Sequence, residues 1–539
     1  MASKAQEQSQ ELAKQLWAIA NDLRGSMDAS KFKNYILGVI FYRYLSEKTE
    51  AYMDNLLKND GMTYREALSN PDLAEVVKQW SIEHLGYIIE PKYLFSSLIE
   101  DIEGKKFSIE DFEKAISALT ASTLGQDSEA AFDKLFDDMN LQDKDLGKEV
   151  SERTELMSLI MQKINAISFN SEDAEIDVLG TAYMILIGLF ASGAGKKGGE
   201  FYTPDGPSRL LSLIAASGLE RAKSVSDSCA GSGSLLLRVR EALPTHEIGH
   251  YYADEKEGTT YNLCRMNLLM HGVPYKQFTT YNEDILKKDP FYEDGEPCKF
   301  TIQVNNPPYS AKNSAGDKAF ENDPRFSGAG VLAPKTKADL AFLQHMVYHM
   351  DDDGRIAVLL PHGVLFRGNA EYTIRKYLIE NLNVVDAVIG LAPNLFHGTG
   401  IPVVIIVCKK NRNGNSGNIL FVDASKEFEK GKNQNTLTEA HIQKILKAYE
   451  GRAEMDKFAH VASLDEIRAN DYNLNIPRYV DTSEEEENIN LHEMATTLKD
   501  LNGQIGDAEQ SLAQMLGQLT GSEEAMTGIR ELQSLFGGE

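Results

Sequence analysis

Four consecutive residues, Asn306-Pro307-Pro308-Tyr309, have the composition of a slot for a flat ring that carries an amino group. They follow the apolar run 300–304, which is typical of a buried strand. Consecutive prolines stiffen the turn and remove two backbone donors, so it presents carbonyl acceptors. The Asn306 side-chain oxygen and the Pro307 carbonyl can then accept both hydrogens of one exocyclic amine, and Tyr309 can stack on the ring. A proline-rich strand end with a core tyrosine is the alternative, and neighbouring motifs must decide.

A second candidate site is the glycine-rich turn Asp227-Ser-Cys-Ala-Gly231-Ser-Gly233, between a predicted strand and a predicted helix. Glycines let a ligand approach the backbone closely, and the helix that follows offers free N–H groups. An aspartate four positions before the first glycine suits a ligand with an ammonium group, such as the methionine part of S-adenosylmethionine. The nicotinamide fingerprint GxGxxG is absent, which argues against a dehydrogenase.

Two further carboxylates stand where the next strands are expected to end. Glu255 follows the run 248–254, and Asp284 lies at the place expected of the third strand end. In a doubly wound sheet, the acid after the second strand reaches the ribose of a bound nucleoside. Asp284 is placed to accept from an adenine amino group. Each acid alone is as well explained by solvation, but the ordered set favours a nucleoside-type cofactor.

Composition limits the classes of function. The 539 residues carry a net charge of −26, and 42% of them are hydrophobic, which indicates a globular protein of two or three domains. No apolar run has membrane-spanning length, and four scattered cysteines favour a reducing cytoplasm. A chain this acidic binds nucleic acid poorly alone, because such binding depends on neutralising phosphates. If its substrate is DNA, a partner must supply positive charge.

Three regions are predicted from the pattern of apolar residues along the chain. Residues 1–165 show helical periodicity, as in Leu12, Leu16 and Ile19, and form an α-helical domain. Residues 166–480 alternate apolar runs with helices, which predicts an α/β domain with a mostly parallel sheet. Its predicted strands are 224–228, 248–254, 301–304, 355–360, 384–390 and 403–408. Residues 481–539 form a helical tail whose stripe from Leu491 to Leu519 is a coiled-coil seam for a partner, or an amphipathic helix packed on its own domain.

Taken together, these motifs resemble the amino-methylating DNA methyltransferases. They are most similar to the modification (M) subunit of type I restriction–modification systems. The resemblance is carried by Gly199-Glu-Phe201-Tyr-Thr203-Pro204, the glycine-rich turn, Glu255, Asp284 and the Asn306–Tyr309 motif. Further matching stretches are 261–272, 338–342, 360–367, 394–402 and 471–478.

The resemblance implies a Rossmann-like methyltransferase domain and transfer of methyl from S-adenosylmethionine to N6 of a flipped adenine in double-stranded DNA. It implies that Phe201 and Thr203 border the cofactor, and that Phe396 is a second wall for the base. It also implies a specificity (S) subunit that binds two M subunits and reads the DNA sequence, and a restriction (R) subunit in the cleaving complex. Methylation of cytosine N4 and a non-catalytic assembly role are the rival functions.

Several local features carry expectations of their own. Ser228 stands where the family has proline and is expected to loosen the turn, while Asp254 is expected to add a negative charge beside Glu255. The segment 310–337 is expected to be a mobile flap that orders on DNA, or a disordered insertion. His246-Glu-Ile-Gly-His250 matches the HExxH pattern of zinc hydrolases, but Pro244 and Gly249 disfavour the helix which that chemistry needs, so no metal is proposed.

Overall fold

The computed structural model describes residues 4–22, 29–167, 178–193, 202–396, 399–432, 434–482 and 491–536. Contacts divide the chain into two compact units, residues 1–481 and residues 482–539. Within the described ranges, no helix combines the length and the apolarity needed to cross a membrane.

The N-terminal region is helical, as predicted. Its helices are α1 (Lys4–Asp22), α2 (Ala29–Leu57), α3 (Tyr64–Ser69), α4 (Ala74–Leu85), α5 (Phe95–Glu103), α6 (Ile109–Ser122), α7 (Glu129–Phe132) and α8 (Val150–Asn165). The predicted apolar positions are buried: Leu12, Leu16 and Ile19 are at most 6% exposed. Helical periodicity therefore located this core correctly.

One twisted sheet is the centre of the second region. Its strands are β1 (Ala222–Asp227), β2 (Ile248–Asp254), β3 (Phe278–Tyr281), β6 (Phe300–Asn305), β7 (Met350–Pro361), β8 (Val385–Leu391), β9 (Val403–Lys409), β10 (Asn418–Ala424) and β11 (Ala459–Ser463). A short hairpin, β4 (Tyr292–Glu293) and β5 (Glu296–Pro297), lies outside the sheet. Each of the six predicted apolar runs corresponds to a strand, so the α/β class is confirmed.

The order of strands across the sheet is β11-β10-β8-β9-β7-β6-β1-β2-β3. Strands β3, β2, β1, β6 and β7 are parallel, while β9 is antiparallel to both β7 and β8. The chain runs outward from β1 through β2 to β3 and then returns to place β6 on the other side of β1. This reversal of direction makes the boundary between β1 and β6 the switch point, where open α/β sheets bind ligands beyond their carboxyl ends.

Helices cover both faces of this sheet. They are α9 (Val178–Gly193), α10 (Asp205–Ala216), α11 (Ser234–Ala242), α12 (Gly258–Met270), α13 (Asp339–Tyr348), α14 (Ala370–Lys376), α15 (Glu439–Gly451) and α16 (Leu464–Ala469). Alternate residues of β7 belong to different cores: Ala357 and Leu359 pack into one, and Ile356, Val358 and Leu360 into the other. Continuous apolar strands are the expected result of burial on both faces.

The N-terminal helices are tied to the sheet region through α12. Asp138 accepts hydrogen bonds from the Thr259 hydroxyl at 2.6 Å and from the Asn262 side chain at 2.7 Å. The buried Arg265 donates to the Ala130 carbonyl at 2.9 Å. The two regions therefore share a polar interface on the helix that follows the Glu255 loop.

The tail is a pair of helices, α17 (Leu491–Gly517) and α18 (Glu523–Phe536), which contact each other. The Gln533 side chain donates to the Ala513 carbonyl at 2.9 Å and helps to close the hairpin. The predicted stripe lies on α17 and beyond its end, and its large side chains are exposed, for example Leu498 at 55% and Met515 at 65%. The tail thus presents an apolar stripe to solvent.

Replacing Asp138 tests the interface on α12. We expect Asp138→Ala to lower the free energy of unfolding by about 1–3 kcal/mol, because two hydrogen bonds to a carboxylate are lost at a partly buried site. Urea unfolding followed by circular dichroism measures the loss. The exposed neighbour gives the control, Asp137→Ala, which should change stability by less than about 0.5 kcal/mol. Equal effects of the two substitutions would contradict the interface.

Candidate active site

The glycine-rich turn follows β1 and is held from two sides. Gly231 and Gly233 have φ angles of 54° and 75°, a left-handed backbone that glycine adopts without strain. A Cβ at Gly233 would lie 2.9 Å from the Cys264 sulfur, so the turn also packs closely on α12. The backbone N–H of Gly231 donates to Glu255 Oε2 at 2.9 Å. The first and second strand ends are therefore joined directly.

Ser228 accepts a hydrogen bond within this turn, and the expectation that it loosens the turn relative to proline stays a prediction. The Asn305 side chain donates to the Ser228 hydroxyl at 2.6 Å, and both residues are buried. Asn305 ends β6 and immediately precedes Asn306. A proline at position 228 has no group that accepts this bond. The serine therefore links the glycine-rich turn to the strand that carries the Asn306–Tyr309 motif.

Asp227 has a buried carboxylate oxygen without a protein partner. One oxygen accepts from the Cys229 backbone N–H at 3.0 Å, while Oδ2 has no hydrogen-bond partner among the described residues and the residue is 1% exposed. Burial raises the pKa of Asp227 to about 8, since the charged form is poorly solvated there. A cationic group placed against Oδ2 would favour the carboxylate, so the arrangement suits an ammonium ligand.

Burial also changes the ionisation of the two neighbouring acids, Asp254 and Glu255. Asp254 is 1% exposed and accepts from the Glu283 backbone N–H at 3.1 Å. Burial raises its pKa to about 9, so at neutral pH it is protonated and adds no negative charge beside Glu255, contrary to expectation. Burial also raises the pKa of Glu255, whose oxygens accept from the backbone N–H groups of Gly231 and Glu257.

Asp284 lies at the edge of the same region, with both oxygens engaged. Lys256 Nζ donates to Oδ2 at 2.7 Å, and the Ser314 hydroxyl donates to Oδ1 at 2.7 Å. Burial alone would raise the pKa of Asp284, but these two hydrogen bonds lower it. Lys256 is largely exposed, so its contact is easily exchanged for a ligand. Ser314 was missed by sequence reasoning, because nothing in its local pattern marks it.

The Asn306–Tyr309 motif leaves β6 beside the glycine-rich turn. Asn306 Nδ2 donates to the Thr203 hydroxyl at 2.9 Å, and the Tyr309 hydroxyl donates to Asn306 Oδ1 at 2.7 Å. Tyr309 meets Phe396 edge to face, with ring centroids 6.1 Å apart. The structure thus brings together Thr203, Asn306, Tyr309 and Phe396, with Pro307 in the turn between them. Phe201 lies outside the described residues.

An ionic network anchors the turn after Tyr309. Ser310 has a φ of 55° and donates its backbone N–H to Asp339 Oδ1 at 2.9 Å. Arg367 donates to Asp339 at 3.1 Å and to Glu371 at 2.8 Å. Asp339 and Arg367 belong to stretches that matched the family in sequence, although no role was predicted for them. Their contacts show that they hold the backbone of the slot.

The segment 310–337 is folded, which does not fit a disordered insertion, and its role as a flap that orders on DNA stays a prediction. Asn313 donates its backbone N–H to the Lys335 carbonyl at 2.8 Å and its side chain to the Ala333 carbonyl at 2.9 Å. Phe326 is buried in one of the two cores. Although the segment is rich in glycine, serine and lysine, its few apolar residues pack into this core. Overall composition does not reveal that contact.

Two protein-family models match this chain. The model described as "N-6 DNA Methylase" matches residues 174–488, and the "HsdM N-terminal domain" matches residues 12–164. The chain is 36% identical to the type I restriction enzyme MpnII methylase subunit of Mycoplasma pneumoniae over 536 residues, covering 95% of this chain and 98% of that one. It is 28% identical to the MjaIX methylase subunit of Methanocaldococcus jannaschii, over 89% of this chain and 85% of that one.

A solved structure agrees with these relatives. The type I restriction-modification system methyltransferase subunit from Streptococcus thermophilus has a TM-score of 0.80 and 41% identity, covering 88% of this chain and 100% of that one. This chain belongs to the type I restriction–modification methylase subunits. The resemblance seen in the motifs is confirmed, and with it the combination of an N-terminal helical region, an α/β methyltransferase fold and a helical tail.

The HExxH match in this methylase subunit does not form the helical arrangement of zinc hydrolases. His246 has a φ of 55° and lies in the turn before β2, and His250 lies within β2. His250 Nε2 contacts the Thr279 hydroxyl at 2.8 Å. The two histidines therefore do not share one face of a helix. This agrees with the prediction that Pro244 and Gly249 disfavour a helix here.

A different group of possible metal ligands, Asp289, His345 and His349, lies in the second core. Arg325 belongs to the same group: its guanidinium lies 3.8 Å from Asp289 and 3.4 Å from His345 Nδ1. His349 already contacts Asp289 at 2.9 Å and the Cys298 carbonyl at 2.7 Å. A divalent cation there would face the buried positive charge of Arg325, so we read the group as an ion network that supports the fold.

The ionisation of Asp227 makes stability depend on pH. Its pKa of about 8 in the folded chain exceeds the ordinary 3.8, so the folded state binds more protons between these values and loses stability as pH rises through them. Asp227→Asn cannot ionise and keeps the oxygen that accepts from Cys229. We expect this substitution to raise the melting temperature of the ligand-free subunit by a few degrees more at pH 8 than at pH 5.

Differential scanning fluorimetry at the two pH values measures the effect. The exposed Asp137→Asn substitution, far in sequence from the turn, is the control and should give no such difference. Equal shifts for Asp227→Asn at both pH values would show that this carboxyl is ionised throughout.

Proposed function

We propose that this methylase subunit transfers a methyl group from S-adenosylmethionine to N6 of an adenine flipped out of double-stranded DNA. The observation that carries the proposal is the meeting of two groups at the switch point. Asp227, with its unpartnered oxygen, ends β1, and the Asn306 amide follows the adjacent strand β6. One site binds a cation and the other an amine, as methyl transfer between a charged donor and a base requires.

The residues around β1 fit S-adenosylmethionine, whose ammonium group matches the buried oxygen of Asp227. Gly231 and Gly233 keep the turn free of side chains where the methionine end would lie. We assign Glu255 to the ribose and Asp284 to the adenine amine. Thr203 and Phe201 are assigned to the border of the site. When bound, S-adenosylmethionine supplies an electrophilic methyl group.

The residues after β6 fit the flipped base. Asn306 Oδ1 and the Pro307 carbonyl accept the two N–H bonds of the adenine amine, which directs its lone pair and returns electron density to nitrogen. Tyr309 stacks on the base, with Phe396 as the second wall. Flipping costs a few kcal/mol, and stacking on an aromatic ring contributes about 1–3 kcal/mol in return.

Catalysis in this proposal consists of positioning and polarisation. The bond from N6 to the methyl carbon forms, the methyl group leaves its sulfur, and the surplus proton on N6 passes to solvent. No covalent enzyme intermediate is needed. Burial raises the pKa of all four cysteine thiols, so none is a ready nucleophile near neutral pH.

Sequence reading is assigned to a partner. The net charge of −26 leaves the subunit short of the positive charge that DNA binding needs. We propose a specificity subunit that binds two methylase subunits, with a restriction subunit joining for cleavage. In this division of labour, residues 1–165 and 481–539 serve assembly and residues 166–480 serve catalysis. The exposed apolar stripe of α17 supports an assembly role for the tail.

Transfer of labelled methyl to DNA tests the function. We expect label on adenine N6 when the subunit is combined with its specificity subunit, and little label from the subunit alone. Asn306→Ala in that complex should reduce transfer by at least about a thousandfold while cofactor affinity, measured by calorimetry, changes less than about threefold.

Each alternative has its own result in this experiment. Label on cytosine N4 would assign the other base, and strong transfer by the subunit alone would remove the need for a partner. Absence of label in the wild-type complex would leave an assembly role. Equal loss of transfer and cofactor affinity in the Asn306 variant would refute its assignment to the base.

The tail is tested by placing a charge on its stripe. We expect Leu498→Asp to weaken binding of the specificity subunit at least about tenfold, because an apolar contact would be replaced by a buried charge. Gln504→Asp adds the same charge to an exposed polar position of the same helix and is the control. Titration by surface plasmon resonance measures both. Unchanged affinity in the Leu498 variant would remove the stripe from the interface.

A further inference from the structure

The amide of Asn306 is held between two hydroxyl groups. Its nitrogen donates to Thr203 Oγ1 at 2.9 Å, and its oxygen accepts from the Tyr309 hydroxyl at 2.7 Å. Burial raises the pKa of Tyr309 far above neutral, so this hydroxyl keeps its proton. The plane of the amide is therefore fixed from both ends before any base is present.

We propose that Thr203 is a positioning residue for methyl transfer, which holds the nitrogen of the Asn306 amide so that its oxygen faces the base. The inference rests on the proposed function and gives Thr203 a role beyond bordering the cofactor. Its hydroxyl acts on the reaction only through Asn306.

The two ends of the Asn306 amide differ, because the oxygen accepts hydrogen bonds and the nitrogen donates them. The productive orientation points Oδ1 at the base amine, which leaves Nδ2 in need of an acceptor, and Thr203 supplies it. If the amide turned over, Nδ2 would face the N–H bonds of the base, donor against donor. Both hydroxyls can donate or accept, so together they fix the plane of the amide, and the N–H bonds of the base select the orientation that points Oδ1 toward them. Without the Thr203 hydroxyl, the productive orientation leaves a partly buried N–H unpaired, so the amide is no longer held in this plane when the base binds.

Thr203 is well placed for this role because its neighbours are anchored. Tyr202 packs on α9 where Gly188 has no side chain: a Cβ there would lie 2.9 Å from the Tyr202 ring. On the other side, Pro204 caps the start of α10, and Asp205 forms an ion pair with Arg238 of α11. Thr203 itself is 6% exposed. The residues on both sides of Thr203 therefore contact helices, Tyr202 on α9 and Asp205 on α11.

The variants Thr203→Val and Thr203→Ser separate the hydroxyl from the shape of the side chain. Valine keeps the branched shape and loses the acceptor, while serine keeps the acceptor. In the complex with the specificity subunit and its DNA, we expect Thr203→Val to lower the single-turnover rate by about tenfold to a hundredfold, as expected for one unpaired polar group. Thr203→Ser should stay within about threefold of wild type.

Two binding measurements distinguish this role from the alternatives. Calorimetric affinity for S-adenosylmethionine and affinity for DNA should each change less than about threefold in Thr203→Val. Thr49→Val is the matched control, since Thr49 is buried and bonded to the Leu45 carbonyl in α2, away from the site. Its rate should equal that of wild type. Melting temperatures of all variants establish that each is folded.

Several outcomes would overturn the positioning role. A loss of cofactor affinity that accounts for the slower rate would make Thr203 a cofactor ligand. A serine variant as slow as the valine variant would point to packing and not to the hydroxyl, and an unchanged rate in Thr203→Val would show that the hydrogen bond has no effect. Failure of the proposed function itself is separate, because it appears as an absence of methylation by the wild-type complex.

Discussion

The adjacency of β1 and β6 is the constraint on which the whole site depends. The chain passes through β2 and β3 before it returns to pair β6 with β1, so residues about 80 positions apart become neighbours at one edge of the sheet. The hydrogen bond from Asn305 to Ser228 joins these two strand ends directly. This bond links the glycine-rich turn to the strand that leads into the Asn306 turn. A shift of either strand would separate the carboxylate of Asp227 from the amide of Asn306.

The ends of β1 and β2 carry three buried carboxyl groups, and burial disfavours the ionised form of each. Asp227, Asp254 and Glu255 are close to one another, and burial raises the pKa of each. Protonation of Asp254 and the backbone N–H groups that contact Glu255 reduce the repulsion. Asp227 keeps one oxygen without such compensation. In the proposed function, a cationic ligand placed against this oxygen would favour the carboxylate form of Asp227.

Much of this architecture could be read from sequence, and the failures share one cause. Periodicity located the N-terminal helices and six strands because local patterns report which face of an element is buried. The motifs located Asp227, Glu255, Asp284 and Asn306 because strand ends are marked by abrupt changes in residue type. The contacts of Ser228, Ser314 and Asp339 were not predicted, because their partners lie far away in the chain: Asn305, Asp284 and Arg367. The fold of the segment 310–337 was missed for the same reason.

In the proposed reaction Asn306 polarises the amine of the base, and two hydrogen bonds hold its amide in place. An amide that accepts from a base must present its oxygen and must find an acceptor for its own nitrogen, since both ends are polar and partly buried. Here the acceptor comes from a segment between α9 and α10, outside the strands that carry the remaining groups. The helices that frame Thr203 therefore bear on the slot as directly as the sheet does. A change in their packing would reach the proposed base site through the hydrogen bond between Thr203 and Asn306.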